Sequence, residues 1–195
     1  MSDEDLLLSD QVLVRGILNG NVAGFAVVVK STERLVAQIV RKMTTNEDDQ
    51  KDLVQDIYLK AYQSLPTFRF QSRLSTWIAN IAYHTTVNYL KKKKIPVTAI
   101  EHAEPWLMAT EQPELETIKE ESVAILGLAI DQLPPLYKTL ITLYHLEQLP
   151  NKEIAAITDI PEGTIKSYLY RARKMLKDTI DHHYKISSHD QPFNR

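Results

Sequence analysis

Apolar residues recur along most of this chain at intervals of three and four, the period of helices with one buried face. The spacing predicts a helix over Leu6 to Leu18, closed by Asn19-Gly20-Asn21. A longer one follows over Val22 to Met43, with Phe25, Val28, Leu35, Ile39 and Val40 inward. A third spans Asp49 to Leu65, with Leu53, Val54, Ile57, Ala61 and Leu65 as its stripe and Pro66 as its stop. Ser75 or Thr76 then caps a fourth, ending near Lys93. Its inner positions are Trp77, Ile78, Ile81, Ala82, Thr85 and Tyr89; its outer ones include Asn80, Tyr83, His84, Val87 and Lys91.

The pattern weakens after Lys91-Lys92-Lys93-Lys94-Ile95-Pro96. Residues 96–112 read as a flexible linker with one short helix around Trp106 to Met108. Periodicity resumes at Pro113, in a helix to about Gln132 that is acid-rich at its start, as the helix dipole favours. Pro134 to Leu146 buries Leu136, Leu140 and Leu143. Asn151 to Thr158 is short, with Ile154, Ala155 and Ile157 inward. Asp159-Ile160-Pro161-Glu162-Gly163 makes a tight corner, where Gly163 relaxes the backbone. A last helix over Thr164 to Lys177 buries Ile165, Leu169, Ala172 and Leu176, and the polar stretch from His182 onward reads as a frayed tail. The expectation is an all-α protein of two small helical domains, 1–95 and 113–181, with linker 96–112 between them and tail 182–195 behind.

Composition agrees: the chain is 44% hydrophobic and has only 5 Gly in 195 residues, enough core for one or two helical domains. It has no Cys, which excludes a disulfide framework and thiolate chemistry. No apolar run approaches membrane-spanning length and the first residues are acidic, so a cytoplasmic protein without membrane insertion is expected. The net charge of −2 conceals strong segregation. Arg69 to Lys94 holds six cations and no acid; Val97 to Glu121 holds seven Glu and one Lys; Asn46 to Asp56 holds five acids and one Lys. Such blocks suit different partners on different surfaces.

Three stretches could carry function. Opposite its buried stripe, the last helix shows Lys166, Arg171, Arg173, Lys174 and Lys177 with Ser167 and Tyr170 and no carboxylate. One-signed charge beside hydroxyls suits phosphates and base edges, and two short helices joined by a corner can set the second in a major groove. The alternative is a helical hairpin with a basic outer face. In the third helix, Leu59 lies in an arc with Asp52, Gln55, Asp56 and Gln63; it is either a lone exposed Leu or the apolar centre of a contact with a polar rim. The loop Thr67 to Leu74 brings two Phe and two Arg beside Asn80, His84 and Asn88, which suits unstacked bases; a core of Phe68, Phe70 and Trp77 is the alternative. His182, His183 and His189 fit a polar tail better than a metal site. No phosphate loop, metal-spaced cluster or activated nucleophile is present, so neither an enzyme nor a cofactor is expected.

Two blocks carry a family resemblance. Asp52-Leu53-Val54-Gln55-Asp56-Ile57-Tyr58-Leu59-Lys60-Ala61-Tyr62, Phe68-Arg69 and Leu74-Ser75-Thr76-Trp77-Ile78-Ala79-Asn80-Ile81-Ala82 resemble region 2 of bacterial sigma factors of the extracytoplasmic-function (ECF) type, in the sigma-70 family. Leu133-Pro134-Pro135, Leu146-Glu147, Glu153-Ile154-Ala155, Gly163-Thr164-Ile165-Lys166-Ser167 and Arg171-Ala172-Arg173 resemble region 4. The resemblance implies that Asp52, Gln55, Asp56 and Leu59 dock on the β′ clamp helices of core RNA polymerase. It implies that Phe68, Arg69, Arg73, Asn80, His84 and Asn88 recognise and open the −10 element, the loop trapping a base flipped from the non-template strand. Lys166, Ser167, Tyr170 and Arg171 would read the −35 element, with Thr164 and Arg173 on phosphates and Tyr137 to Leu146 against the β flap. An anti-sigma factor is an implied partner. The chain departs from the family pattern at His84, where Asn is common, at Tyr168, where Arg is common, and at Pro150, where a Ser often caps and Asn151 would have to replace it.

Overall fold

In the computed structural model, which describes residues 3–95, 97 and 118–189, the first half is built around α2 (Gly24–Met43). Val28, Thr32, Val36, Ile39, Val40 and Met43 make a continuous buried stripe on it. Against this stripe pack α3 (Glu47–Ser64), through Leu53, Ile57 and Ala61, and α4 (Leu74–Lys92), through Ile78, Ala79, Ala82 and Leu90. α1 (Asp3–Leu18) adds Val14 and Ile17. Here a side chain on Gly24 would meet Ile17 Cγ1 at 3.0 Å, so glycine sets how closely α1 and α2 approach. α2 starts two residues later than the sequence predicts, because Gly20, at φ +102°, turns the chain first.

Local signals explain most boundaries. Asn46 caps α3 by accepting the Asp49 N–H at 2.9 Å, and Glu47, Asp48 and Asp49 fill the first turn. A 3-10 turn over Leu65–Thr67 carries Pro66. The start of α4 differs from expectation: neither Ser75 nor Thr76 caps it. The Leu74 N–H instead donates to Asp10 Oδ2 at 2.7 Å, so the cap comes from α1, 64 residues away in the chain.

The second half comprises α5 (Ile118–Asp131), α6 (Pro135–Ile141), α7 (Asn151–Thr158) and α8 (Glu162–His189). The predicted single helix to Leu146 ends instead in a π turn over Thr142–Leu146, closed by Glu147 N–H to Thr142 O at 3.0 Å. The wider turn keeps Leu143 buried while directing Tyr144 and His145 toward α8. At the corner, Asp159 rather than Gly163 takes the left-handed conformation, φ 56°, with its N–H on Ala155 O. Gly163 is already inside α8. Pro150 is the N-cap of α7 without a side-chain bond, so Asn151 does not replace the missing Ser. The expected tail from His182 is helical as far as His189. The expected start at Pro113 and the short helix at Trp106 to Met108 lie outside the described residues.

The two helical units share one apolar core. α7 lies on the face of α4 that the sequence assigns to solvent, and α6 meets α2. Hence Tyr83 and Val87, placed outward by periodicity, are buried, Tyr83 at 6% exposure. Removal from water, with smaller effects from Tyr168 and Asp159, pushes the Tyr83 phenol up to about 12. A raised phenol pKa favours the folded state fully below the unfolded value near 10, and this advantage is lost as pH rises through about 12. We expect alkaline titration followed by circular dichroism to lose about 2–3 kcal/mol across that window, and Tyr83→Phe to lose markedly less; equal losses would show that the phenol is not held in this seam.

Candidate nucleic-acid and polymerase interface

Three surfaces emerge. On α3, Asp52, Gln55 and Leu59 are exposed and Asp56 is half-exposed, while Ile57 and Leu53 anchor the opposite side. Leu59 stands 56% exposed. Lys60 Nζ donates to Asp56 Oδ2 at 2.6 Å, an i,i+4 pair in solvent that contributes only about 0.3–0.5 kcal/mol to the helix. Tyr62, three residues beyond Leu59, is also exposed and sets its ring edge-on against Phe25 at 5.0 Å. The polar arc of the sequence omitted it; the i,i+3 spacing from Leu59 was the available sign.

The loop ahead of α4 has a rigid interior. Phe68 stacks on Phe70 at 4.7 Å and on Trp77 at 5.1 Å and is only 7% exposed. Phe68 is thus enclosed among rings here: three aromatic rings gain more by closing on each other than by facing water. Phe70 sits at φ 57°, an unfavourable region for a bulky residue, fixed by this stacking. Arg69 is left exposed and Arg73 half-exposed at the mouth of α4. Further along α4, Asn88 is exposed, while Asn80 and His84 are partly covered by α7.

On α8, Ile165, Leu169, Ala172 and Leu176 are buried as their spacing predicts, which turns Lys166, Ser167, Tyr170, Arg171 and Arg173 outward together. Thr164, partly covered, lies in the first turn. Ser167 Oγ donates to Gly163 O at 3.1 Å, leaving its oxygen free to accept from a base. Arg173 is held from behind: Nε and Nη2 lie 3.4 and 3.3 Å from His145 Nε2, and the guanidinium rests over Tyr144. Burial first, and Arg173 second, lower the His145 pKa, consistent with a neutral ring accepting that bond. Tyr168, which departs from the family pattern, faces inward and packs on buried Tyr137 at 5.5 Å.

Among the described residues, no group of three or more His, Cys, Asp or Glu is placed to hold a metal. No described helix is long and apolar enough to cross a membrane.

The family model for Sigma-70 region 2 matches residues 28–95, and that for Sigma-70 region 4 matches 124–176. These cover the two units that bear the three surfaces. The ECF RNA polymerase sigma-E factor of Haemophilus influenzae is 35% identical over 182 residues, covering 89% of this chain and 96% of that protein. Its counterpart in Escherichia coli K12 is 35% identical over 183 residues, covering 89% and 95%. Two solved structures share the fold: CnrH with the cytosolic domain of CnrY (TM-score 0.64, 18% identity, 89% of this chain and 97% of that chain), and the sigma factor RpoE of Bartonella quintana with the anti-sigma factor NepR (TM-score 0.61, 20% identity, 80% and 96%). The chain belongs to the sigma-70 family, as an RNA polymerase sigma factor of the ECF type. Sigma factors are transcription initiation factors and not enzymes.

Proposed function

We propose that this sigma factor binds core RNA polymerase through α3, reads a −35 element with α8, and helps open the −10 element with α4 and the preceding loop. The observation that carries this reading is the outer face of α8. It offers five cations, an exposed hydroxyl and Tyr170 at 70% exposure, with no carboxylate between Thr164 and Lys177. Lys166, Ser167, Tyr170 and Arg171 meet base edges in the major groove; the helix N-terminus at Thr164 and the guanidinium of Arg173 meet phosphates.

On the first unit, Asp52, Gln55 and Asp56 form a polar rim around Leu59, a composition suited to the β′ clamp helices. The α6 and π-turn segment, whose Leu146 is exposed, meets the β flap. Arg69, Arg73, Asn80, His84 and Asn88 hold the melted non-template strand, with Phe68 supporting the loop from inside. Unstacking costs a few kcal/mol per step, offset by captured bases and phosphate contacts. The protein acts in the cytoplasm, where its polymerase is. An anti-sigma factor is a proposed partner, supported by the protein of like fold solved with one.

The test is run-off transcription with purified bacterial core polymerase on genomic fragments. We expect discrete start sites that require this protein. A DNA-binding regulator would give protein–DNA complexes without core and no new start site.

A further inference from the structure

Arg173 is a cation held in place without being neutralised. It follows Lys166 and Tyr170 on the outer face of α8 at helical spacing, with Lys177 one turn further on. No carboxylate lies between Thr164 and Lys177, so α8 offers Arg173 no ion-pair partner one turn away on either side. Its partners come from the π turn after α6. The guanidinium, through Nε and Nη2, shares the lone pair of His145 Nε2 at 3.4 and 3.3 Å and lies over the Tyr144 ring, 5.4 Å from the centroid. Arginine can only donate, so Nε2 is the acceptor and the ring hydrogen sits on Nδ1.

The turn that supplies these two rings is itself fixed. The Leu149 N–H donates to Leu143 O at 3.0 Å. Gln148, at φ 54°, folds its side chain back so that Nε2 donates to His145 O at 2.6 Å. The Tyr144 and His145 rings meet edge to face at 4.9 Å.

We infer that Tyr144 and His145 are positioning residues for the −35 grip: they fix the Arg173 guanidinium beside the groove with its full charge available to a DNA phosphate. This rests on the proposal that α8 enters a −35 major groove with Arg173 on the backbone. The Nη1 hydrogens and the second Nη2 hydrogen are not used by His145 and can bind phosphate oxygens. A free arginine loses rotamer freedom on binding, whereas one held beforehand loses less. A carboxylate in the place of His145 would hold Arg173 harder but cancel the charge that the phosphate needs; a neutral imidazole and a ring face do not.

The hold belongs to the neutral ring, because protonating Nε2 removes the acceptor and sets two cations side by side. Arg173 is the charged group that bears on the ring. Of the others on the turn and the helices packed against it, Glu147 is taken by Arg34 at 2.6 Å and Glu153 of α7 reaches Thr76 at 3.4 Å. Lys138 of α6 donates to Asp131 O at 2.7 Å, and Lys152 of α7 is exposed to solvent.

The test uses the full-length protein and the duplex that it most enriches from a randomised pool, at a pH about one unit above the ordinary histidine value. Arg173→Ala should weaken binding about tenfold and lower the salt slope by about one counterion. His145→Ala, at an exposed position, should keep the fold and weaken binding about threefold, but change nothing further in the Arg173→Ala background. His145→Gln, whose carbonyl oxygen can accept the same bond, should recover most of that loss. By NMR, the ring signals lost in His145→Gln should report hydrogen on Nδ1 and a titration midpoint that rises in Arg173→Ala. His145→Ala binding as tightly as wild type, losing as much without Arg173 as with it, or no better rescued by Gln, overturns the inference; so does a ring carrying its hydrogen on Nε2. Arg173→Ala without effect on the selected duplex removes the phosphate contact, and the inference with it. A wild-type protein that enriches no sequence sinks the −35 reading itself.

Discussion

Leu59→Arg is expected to weaken binding to core RNA polymerase by about ten- to a hundredfold while leaving the fold intact. The fold is safe because Leu59 is exposed; the packing of α3 depends on Leu53, Ile57 and Ala61. Arg is also as good a helix former as Leu. The binding loss follows from two costs: an apolar side chain at the centre of a contact patch is removed, and a charge must be dehydrated there. Central apolar anchors with polar rims carry about 2 kcal/mol or more each, and about 1.4 kcal/mol corresponds to a factor of ten. Gel-filtration or fluorescence titration with core enzyme measures it, with circular dichroism as the control on folding. Unchanged affinity would make Leu59 an ordinary exposed leucine, and Tyr62, its neighbour against Phe25, the next residue to test.

The second large effect separates base reading from phosphate binding on one helix. Lys166 lies in the second turn of α8, near the end proposed to enter the groove; Lys177 lies eleven residues on, about 16 Å along the axis at 1.5 Å per residue. Lys166→Ala should cost about 1–3 kcal/mol at particular −35 base pairs and relax preference there. Lys177→Ala should weaken all sequences evenly and reduce the slope of affinity against salt by about one counterion. Binding of the full-length variants to a randomised duplex pool, read by sequencing at two salt concentrations, distinguishes them. Uniform weakening by both variants would mean that the base-reading face of α8 is elsewhere.

The helices were largely legible from periodicity because each unit buries one stripe per helix. In α8, Ile165, Leu169, Ala172 and Leu176 are buried in the register the spacing gave. α4 shows where that reasoning runs out. A helix enclosed on two sides has no single stripe, so Tyr83 and Val87 were read as solvent-facing until α7 is seen to cover them. The cap of α4 by Asp10 was illegible for a related reason: the signal lies 64 residues away, while plausible local caps, Ser75 and Thr76, stood next to the boundary. The corner before α8 was legible as a corner, but not that Asp159 would take its left-handed position, since an Asp there carries no sign as plain as a glycine's. The basic face of α8 was visible because charge segregation survives without knowledge of packing. The enclosure of Asn80 and His84 was not, since it depends on how two units meet across a linker.

The central claim is that this chain grips RNA polymerase with one unit and upstream duplex with the other. Its most direct test is to mix the purified protein with bacterial core RNA polymerase at low salt and pass it over a sizing column. We predict a stoichiometric complex that elutes with core and is lost with Leu59→Arg. Elution of the wild-type protein entirely at its own size, with core enzyme known to be active, would contradict the account.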